Sequence, residues 1–189
     1  MMFVKICGIT NREDALAAIG AGAKALGFVF VPDTPRCVTA ERLESWINEI
    51  PADIWRVGVF VDESPEEIER IGARLGLHIA QLHGGETPER HPRGLRIWKA
   101  FRARDPRVNF PDYPAAEAIL IDGIAYDWTR IAQFTRPLIL AGGLNETNVR
   151  ERIERARPWA VDVSSGIESS PGRKDHLRMK KFIEAALRS

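Results

Sequence analysis

Short apolar runs recur along the chain, and each ends abruptly in a polar residue, a cysteine or a glycine pair. Eight such runs have the length and the β-branched or aromatic content of buried strands. They span residues 3–7, 26–30, 56–62, 78–84, 96–101, 118–123, 137–143 and 160–166. Successive runs begin roughly 20 to 30 residues apart, which leaves room for a strand, a loop and a helix. The pattern therefore predicts an α/β fold of the (β/α)8 or TIM barrel type, whose active sites lie at the carboxyl ends of the strands.

Polar cap signals between the runs predict where several outer helices begin. Residues 64–67, with the sequence Ser-Pro-Glu-Glu, combine an N-cap, a proline at the first helical position and a capping-box glutamate. Asn11 and Asn145 each stand before acidic residues and are predicted to be N-caps. We therefore expect regular helices after the first, third and seventh runs.

The last predicted helix spans residues 174–187 and closes the barrel. Its buried side is predicted to consist of Leu177, Phe182, Ile183 and Ala186. Two other connections are less regular, because residues 87–94 are few and residues 105–114 contain three prolines. The helix layer should be short or irregular at both places.

Length and composition narrow the class of protein. The chain has 189 residues, whereas an eightfold barrel typically takes about 250, so its loops and some helices must be minimal. We expect residues 1–189 to form a single barrel domain. We also expect the protein to be cytoplasmic, because no apolar stretch approaches the ~20 residues of a membrane span. The net charge of +1, with both signs interspersed, favours neither a nucleic acid nor a membrane as partner. Two cysteines without zinc-ligand spacing predict neither a disulfide framework nor a structural metal.

The alternation of side chains along a strand predicts which residues point into the barrel. If the apolar residues of the first run pack against helices, Lys5 and Cys7 point inward, with Cys7 nearer the carboxyl end. By the same alternation, we expect Asp162 of the eighth run and Asp122 of the sixth run to point inward. The first and last strands of a closed barrel are neighbours, so Lys5 and Asp162 are expected to offset the cost of burying each other's charge. That pair would suit a purely structural role as well as a chemical one.

Two further runs are predicted to place polar groups in the interior. Gln81 and His83 share one face of the fourth run. Lys99 of the fifth run points inward if Trp98 faces outward. Polar side chains from several strands should therefore converge.

Cys7 and Asp122 are the candidates for proton transfer. Cys7 is followed by Gly8, which lets the backbone turn away and leaves the thiol facing the cavity. A lone cysteine at a strand end is more often a small buried hydrophobe, but a nearby lysine can lower the thiol pKa toward neutrality, and only the thiolate is a competent base. Asp122 would supply the complementary acid if apolar surroundings raise its pKa. One group that takes a proton and one that gives it suit an aldose to ketose shift.

The ends of the seventh and eighth runs carry a signal for phosphate binding. Gly142 and Gly143 precede a predicted helix cap, and Ser165 and Gly166 follow the last strand. Glycines let backbone N–H groups approach an anion closely, and barrel enzymes frequently bind phosphate between these two loops. A single glycine pair would usually be only a turn, but the coincidence of both loops favours a small phosphorylated ligand. Arg36 has the chemistry to hold a carboxylate in a bidentate pair, although a loop arginine is normally just solvated.

Together these motifs resemble the phosphoribosylanthranilate isomerase family of tryptophan biosynthesis. The resemblance extends from the first strand to the last helix and is most specific at the first and last motifs. It is carried by Lys-Ile-Cys-Gly-Ile-Thr at 5–10, Gly-Phe-Val-Phe at 27–30 with Arg36 following, Val-Gly-Val-Phe at 57–60, Gln-Leu-His-Gly at 81–84, Ala-Gly-Gly-Leu at 141–144, Val-Asp-Val-Ser-Ser-Gly-Ile-Glu at 161–168 and Pro-Gly-Arg-Lys-Asp at 171–175.

This resemblance implies a cofactor-free Amadori rearrangement of N-(5-phosphoribosyl)anthranilate to 1-(2-carboxyphenylamino)-1-deoxyribulose 5-phosphate. It implies that Asp122 is the general acid that opens the ribose ring and that Cys7 is the general base that removes the C2 proton. Arg36 would then hold the anthranilate carboxylate. The other candidates for substrate binding are His83 and Asp162 and, around the phosphate, Gly142, Gly143, Ser165 and Gly166. Either a monomer or a homodimer fits the sequence.

The chain departs from the family after the sixth run. Where the family usually has a glycine-rich mobile loop, Asp122 and Gly123 lead directly into residues 124–128. Either the natural loop is short, or loop residues are absent from this sequence. Two other functions remain open. One is a related phosphosugar isomerase or epimerase, against which Cys7 argues because the isomerases of histidine biosynthesis generally use a pair of aspartates. The other is a catalytically impaired phosphate-binding barrel.

Overall fold

Eight parallel strands form a closed barrel in the computed structural model, which describes residues 2–103, 113–123, 129 and 136–188. Each strand is hydrogen-bonded to the next along the chain, and the eighth returns to the first. The strands are β1 (Phe3–Cys7), β2 (Ala25–Val29), β3 (Trp55–Phe60), β4 (Ile79–Leu82), β5 (Arg96–Arg102), β6 (Ala116–Asp122), β7 (Leu138–Ala141) and β8 (Ala160–Val163). Each overlaps one apolar run, so the predicted (β/α)8 barrel is confirmed.

Helices and a small hairpin connect and cover the strands. The described helices are α1 (Arg12–Ala21), α2 (Ala40–Glu44), α3 (Pro65–Leu75), α4 (Val149–Ala156) and α5 (His176–Leu187), with 3-10 turns at Ile47–Glu49, Pro88–Arg90 and Ser165–Ile167. After β8, a hairpin of β9 (Glu168–Ser170) and β10 (Arg173–Lys174) precedes α5. The connection at 87–94 holds only its 3-10 turn, as expected from its length. Most of the proline-rich segment 105–114 lies outside the described residues.

The predicted caps of α1 and α3 are confirmed. The Asn11 side chain accepts a hydrogen bond from the Asp14 N–H at 2.8 Å, and Ser64 Oγ accepts one from the Glu67 N–H at 3.2 Å. The Glu67 carboxylate binds Arg70 rather than returning to Ser64, so the capping box is only half formed.

The predicted start of the helix after β7 is wrong by several residues. Asn145 Oδ1 accepts hydrogen bonds from the N–H groups of Thr147 and Asn148, which closes a turn, and the helix α4 begins only at Val149. The Asn148 side chain in turn accepts from the Asn145 N–H at 2.9 Å and donates to Gly143 O at 2.9 Å. This turn stabilises the loop that follows β7.

The closing helix begins at His176, with Asp175 as its N-cap, because Lys174 belongs to β10. The prediction that Leu177 is buried is wrong, since its side chain is 62% exposed. The buried residues are Met179, Phe182, Ile183 and Ala186, which follow helical spacing. Leu177 stands two positions before Met179, about 200° around the helix, and so faces the other way.

The barrel encloses one apolar cluster and is surrounded by a second. The inner cluster comprises Phe3, Ala25, Val57, Ile79, Trp98, Ala100, Ala118, Leu120, Ile139, Ala141 and Ala160. Because alternate residues face the same way, this phase turns Lys5, Gln81, Asp122 and Asp162 inward, as predicted. Val4 and Ile6 belong to the outer cluster beneath the helices.

The prediction that Lys99 points inward is wrong, because Trp98 takes the inner position. Lys99 is nevertheless 1% exposed, and its ammonium lies 2.7 Å from the equally buried carboxylate of Glu86. The connection after β4 has no α-helix, so Glu86 and the carbonyl of Gly84 cover this part of β5 and satisfy the charge.

Aromatic rings fill the barrel at the amino ends of the strands. Phe3 lies edge-on to Trp55 and Trp159, with ring centroids 5.0 and 4.8 Å apart, and Trp98 packs beside them. This end is closed by packing, so the polar interior lies toward the carboxyl ends. None of the helices among the described residues has the length and apolar character needed to cross a membrane.

Candidate active site

A cavity of about 430 Å³ opens at the carboxyl ends of the strands. It is lined by every residue that the sequence singled out for the site: Cys7, Arg36, His83, Asp122, Gly142, Gly143, Asp162, Ser165 and Gly166. Gln81, Thr34 and Ser164 also line it. Groups spread over the whole chain are therefore brought to one place by the closure of the barrel.

Lys5 and Asp162 form the buried pair that strand alternation predicts. They are partners in the β1–β8 ladder, and the ammonium lies 2.9 Å from Asp162 Oδ1. Their side chains are 0% and 7% exposed. Burial lowers the pKa of Lys5, but its interactions with Asp162 and Cys7 together raise it by more, so the ammonium stays charged.

Gly27 on β2 creates the space in which Cys7 and Lys5 meet. A Cβ at Gly27 would lie 2.8 Å from Cys7 Sγ and 2.9 Å from Lys5 Nζ, closer than side chains tolerate. Gly27 was not predicted to belong to the site, although a glycine inside a strand is itself a sign of a close approach. Any side chain there would separate the thiol from the ammonium.

Burial raises the pKa of the Cys7 thiol above its ordinary value, and the Lys5 ammonium only partly opposes this. The expectation that lysine brings this pKa toward neutrality is therefore wrong. The positive charge of Lys5 is already balanced by the Asp162 carboxylate, which itself raises the Cys7 pKa. Without ligand, Cys7 is a thiol near neutral pH.

Asp122 ends β6 and faces the same cavity. Burial raises the pKa of Asp122, and the Asp162 carboxylate raises it further, which is the direction that the acid hypothesis requires. Gly142 makes room for this carboxylate, because a Cβ there would lie 2.5 Å from Asp122 Oδ1 and 2.1 Å from the Gly123 backbone nitrogen. The expected shortening of the loop after Gly123 concerns residues 124–128, which lie outside the described residues.

Glycines bring the loops after β7 and β8 together. Gly142 and Gly143 have φ of 84° and 64°, a conformation that side chains disfavour. A Cβ at Gly166 would lie 1.8 Å from the carbonyl oxygen of Leu144, so the second loop fits against the first only without a side chain. Both loops therefore present backbone to the same part of the cavity.

His83 lies beside Gln81, with 2.5 Å between His83 Nε2 and Gln81 Nε2. Burial, with smaller contributions from the Lys5 and Lys99 ammonium groups, lowers the pKa of His83 to about 3. The imidazole is therefore neutral. It offers the cavity a hydrogen-bonding group without charge.

Arg36 is held in place rather than solvated. Its Nε and Nη2 lie 2.8 and 2.6 Å from the two carboxylate oxygens of Glu168, which also binds Lys174 at 2.9 Å. Gly8 accommodates the arginine, since a Cβ there would lie 2.6 Å from Arg36 Cδ. Glu168 was not predicted as its partner, because it lies on the β9–β10 hairpin, which strand alternation in the barrel does not place. Within the described part of the chain, no cluster of histidine, cysteine and acidic residues is suited to a metal ion.

The sequence profile of the family described as N-(5'phosphoribosyl)anthranilate (PRA) isomerase matches residues 4–185. The N-(5'-phosphoribosyl)anthranilate isomerase of Solibacter usitatus is 45% identical over 197 residues, which cover 98% of this chain and 97% of the relative. That span exceeds the 189 residues of the chain, so the relative has residues without a counterpart here.

Two solved structures are similar over 100% of both chains, each with 41% identity and a TM-score of 0.89. One shows monomers of the dimeric phosphoribosylanthranilate isomerase from Thermotoga maritima. The other is a phosphoribosylanthranilate isomerase in complex with reduced 1-(o-carboxyphenylamino)-1-deoxyribulose 5-phosphate.

Proposed function

Because the chain belongs to the N-(5'-phosphoribosyl)anthranilate isomerase family, we propose which of its residues carry out the reaction of that family. The protein is an isomerase of tryptophan biosynthesis built on a TIM barrel. One observation carries the assignment of roles. A thiol on β1, a carboxyl on β6 and the glycine loops after β7 and β8 line a single cavity.

The substrate is held at its two ends. Gly142, Gly143, Ser165 and Gly166 surround the 5-phosphate with backbone groups. Arg36 binds the carboxylate on the aromatic ring, since a guanidinium matches a carboxylate in charge and shape. His83 and Asp162 offer the ribose hydroxyls uncharged and charged hydrogen-bonding partners. The sugar then lies between Cys7 and Asp122.

The first chemical step opens the ribose ring. Protonated Asp122 gives its proton to the ring oxygen as the bond from that oxygen to C1 breaks. The lone pair of the anthranilate nitrogen forms the C1–N double bond, so the product is a protonated Schiff base. Asp122 is left as a carboxylate, and the positive charge on nitrogen makes the C2 hydrogen acidic.

The second step is the removal of the C2 proton by the Cys7 thiolate. The electrons of the C2–H bond form a C1–C2 double bond and neutralise the nitrogen, which gives an enolamine. This intermediate becomes the ketone by losing the C2 hydroxyl proton and gaining a proton at C1. No external oxidant or reductant takes part, because no net oxidation occurs.

The protonation states of the free site shape the pH dependence. Cys7 titrates above Asp122, so between their pKa values the two groups hold one proton, mostly on sulfur. The productive form has this proton on Asp122 and has Cys7 as a thiolate. It carries the same net charge as the form with the proton on sulfur, so the fraction of enzyme in the productive form does not change with pH over that range. Activity falls in acid when both groups are protonated, and in base when neither is.

Turnover of freshly made N-(5-phosphoribosyl)anthranilate, followed by the decay of its fluorescence, tests this proposal. We expect the wild type to consume the substrate, Asp122→Asn to lose turnover while binding the reduced product analogue, and Arg36→Met mainly to raise KM. Absence of decay above background in the wild type would indicate an impaired phosphate-binding barrel. An unchanged KM in Arg36→Met would contradict the carboxylate role.

A further inference from the structure

We propose that Glu168 is a positioning residue that fixes the orientation of Arg36 and thereby determines specificity for a carboxylate on the aromatic ring of the substrate. The inference rests on the proposed function, in which Arg36 binds that carboxylate. It adds the reason why a single loop arginine holds a defined orientation before the substrate arrives.

The Glu168 carboxylate binds one edge of the Arg36 guanidinium and leaves a second edge for the substrate. A guanidinium has a side edge formed by Nε and Nη2 and an end edge formed by Nη1 and Nη2, and each edge matches a carboxylate. Glu168 accepts hydrogen bonds from Nε at 2.8 Å and Nη2 at 2.6 Å, so it takes the side edge. Within the described ranges, no protein group binds Nη1 of Arg36, and Arg36 lines the cavity. The end edge is therefore the one that meets the substrate.

Glu168 is itself held in place, so it cannot turn away from Arg36 easily. Its side chain is only 5% exposed, and its Oε1 accepts a hydrogen bond from the buried ammonium of Lys174 at 2.9 Å. The two residues are partners across the β9–β10 hairpin. Although burial raises the pKa of Glu168, the hydrogen bonds and the positive charges of Arg36 and Lys174 together lower it by more. Glu168 is therefore a carboxylate.

The hairpin that carries Glu168 is packed against the loop that carries Arg36. A Cβ at Gly172 would lie 2.6 Å from the carbonyl oxygen of Pro35, next to Arg36 in the chain. Thr10 Oγ1, in the loop after β1, donates a hydrogen bond to Gly172 O at 2.6 Å. The hairpin thus links the loops after β1 and β2 at the mouth of the cavity.

The charges of this cluster favour one additional anion. Arg36 and Lys174 are cationic and Glu168 is anionic, so together they carry a net charge of +1 next to the cavity. A substrate carboxylate on the end edge of Arg36 would complete two cations with two anions. Displacement of Glu168 by the substrate would instead leave the buried Lys174 with its bonds to Ser164 but without its carboxylate partner, which opposes a role of Glu168 as a competitor.

The test compares two ligands that differ only in the carboxylate: reduced 1-(o-carboxyphenylamino)-1-deoxyribulose 5-phosphate and its phenylamino counterpart. Glu168→Asp keeps the charge but shortens the side chain by one methylene, so it cannot keep both bonds to Arg36 and the bond to Lys174. We expect its Kd for the carboxylated ligand to rise about tenfold, as for a lost charge-assisted hydrogen bond. The Kd of the phenylamino ligand should stay within about twofold of wild type. The matched control is Glu151→Asp on the exposed face of α4, which should change neither value.

The possible outcomes separate the inference from the proposed function. Equal weakening of both ligands in Glu168→Asp would indicate a structural role only and would overturn the inference, as would unchanged binding of both. If the wild type itself binds the two ligands equally, Arg36 does not hold the carboxylate, and the inference fails together with that proposal. Glu168→Gln provides a second variant of equal size. Weaker binding of the carboxylated ligand supports positioning, whereas tighter binding would show that Glu168 is a competitor.

Discussion

The strongest quantitative prediction concerns the pKa of Cys7 and its dependence on the buried pair beneath it. Asp162→Asn retains an acceptor for Lys5 but removes the negative charge that raises the Cys7 pKa, so this pKa should fall. The double variant Lys5→Met/Asp162→Asn removes the attraction as well, and the pKa should rise. Because the effect of Lys5 on Cys7 exceeds that of Asp162, the wild type should lie between the two variants.

The magnitude follows from the geometry around Gly27. Cys7 Sγ and Lys5 Nζ both lie within 2.9 Å of the point where a Cβ of Gly27 would stand, so they are less than about 6 Å apart. At an effective dielectric constant of about 20, unit charges about 6 Å apart attract by ~3 kcal/mol, or ~2 pKa units. In Asp162→Asn the Cys7 thiolate still raises the Lys5 pKa, so the reactive state pairs the thiolate with the ammonium. The double variant lacks that ammonium, so the two Cys7 pKa values should differ by up to ~2 units.

The assay is the rate of Cys7 alkylation by iodoacetamide as a function of pH, without substrate, in a Cys37→Ser background. Only the thiolate reacts, so the midpoint of the rate profile reports the pKa. Mass spectrometry confirms that Cys7 is the modified residue, and circular dichroism confirms that each variant is folded. Midpoints of the two variants within about half a pKa unit of each other would refute the reasoning.

Three other predictions follow from the same structure. The pH profile of kcat/KM should be broad, because burial raises the pKa of both Asp122 and Cys7. Its acid limb should lie above the ordinary aspartate pKa of 3.8 and its alkaline limb above the ordinary cysteine pKa of 9.0. An alkaline limb near neutrality would contradict this. Gly142→Ala should lower kcat about 100-fold in the fluorescence assay by displacing the Asp122 carboxyl, and a kcat within about threefold of wild type would count against that geometry. Lys99→Met should lower the free energy of unfolding in urea by about 3 kcal/mol because Glu86 loses its buried partner, whereas Lys99→Met/Glu86→Gln should recover part of the loss.

The barrel itself could be predicted because both faces of its strands are buried. This burial imposes apolar runs that are visible in the sequence, and closure makes β1 and β8 neighbours, which correctly predicted the pair between Lys5 and Asp162. The orientation of Lys99 could not be predicted in this way. Strand alternation fixes that Trp98 and Lys99 face opposite sides, but not which one faces inward. The choice depends on Glu86, thirteen positions away in a connection without an α-helix.

The candidate site could be predicted in its membership but not in its energetics. Loops at the carboxyl ends of barrel strands must converge, so the glycine loops and Cys7 were expected in one cavity. The sign of the Cys7 pKa shift depends on the balance between burial and charge, which appears only once the partner of Lys5 is known. Likewise the contact between Glu168 and Arg36 could not be predicted, because Glu168 lies on a hairpin that has no periodic pattern in the sequence.

The most direct test of the central claim is the activity of Cys7→Ala beside Cys37→Ala, which removes the other free thiol of the chain. The proposal predicts that Cys7→Ala loses turnover of N-(5-phosphoribosyl)anthranilate but binds the reduced product analogue with a Kd close to wild type, while Cys37→Ala is unaffected in both. Turnover by Cys7→Ala near the wild-type rate would show that another group removes the C2 proton, and the assignment of the base would be wrong.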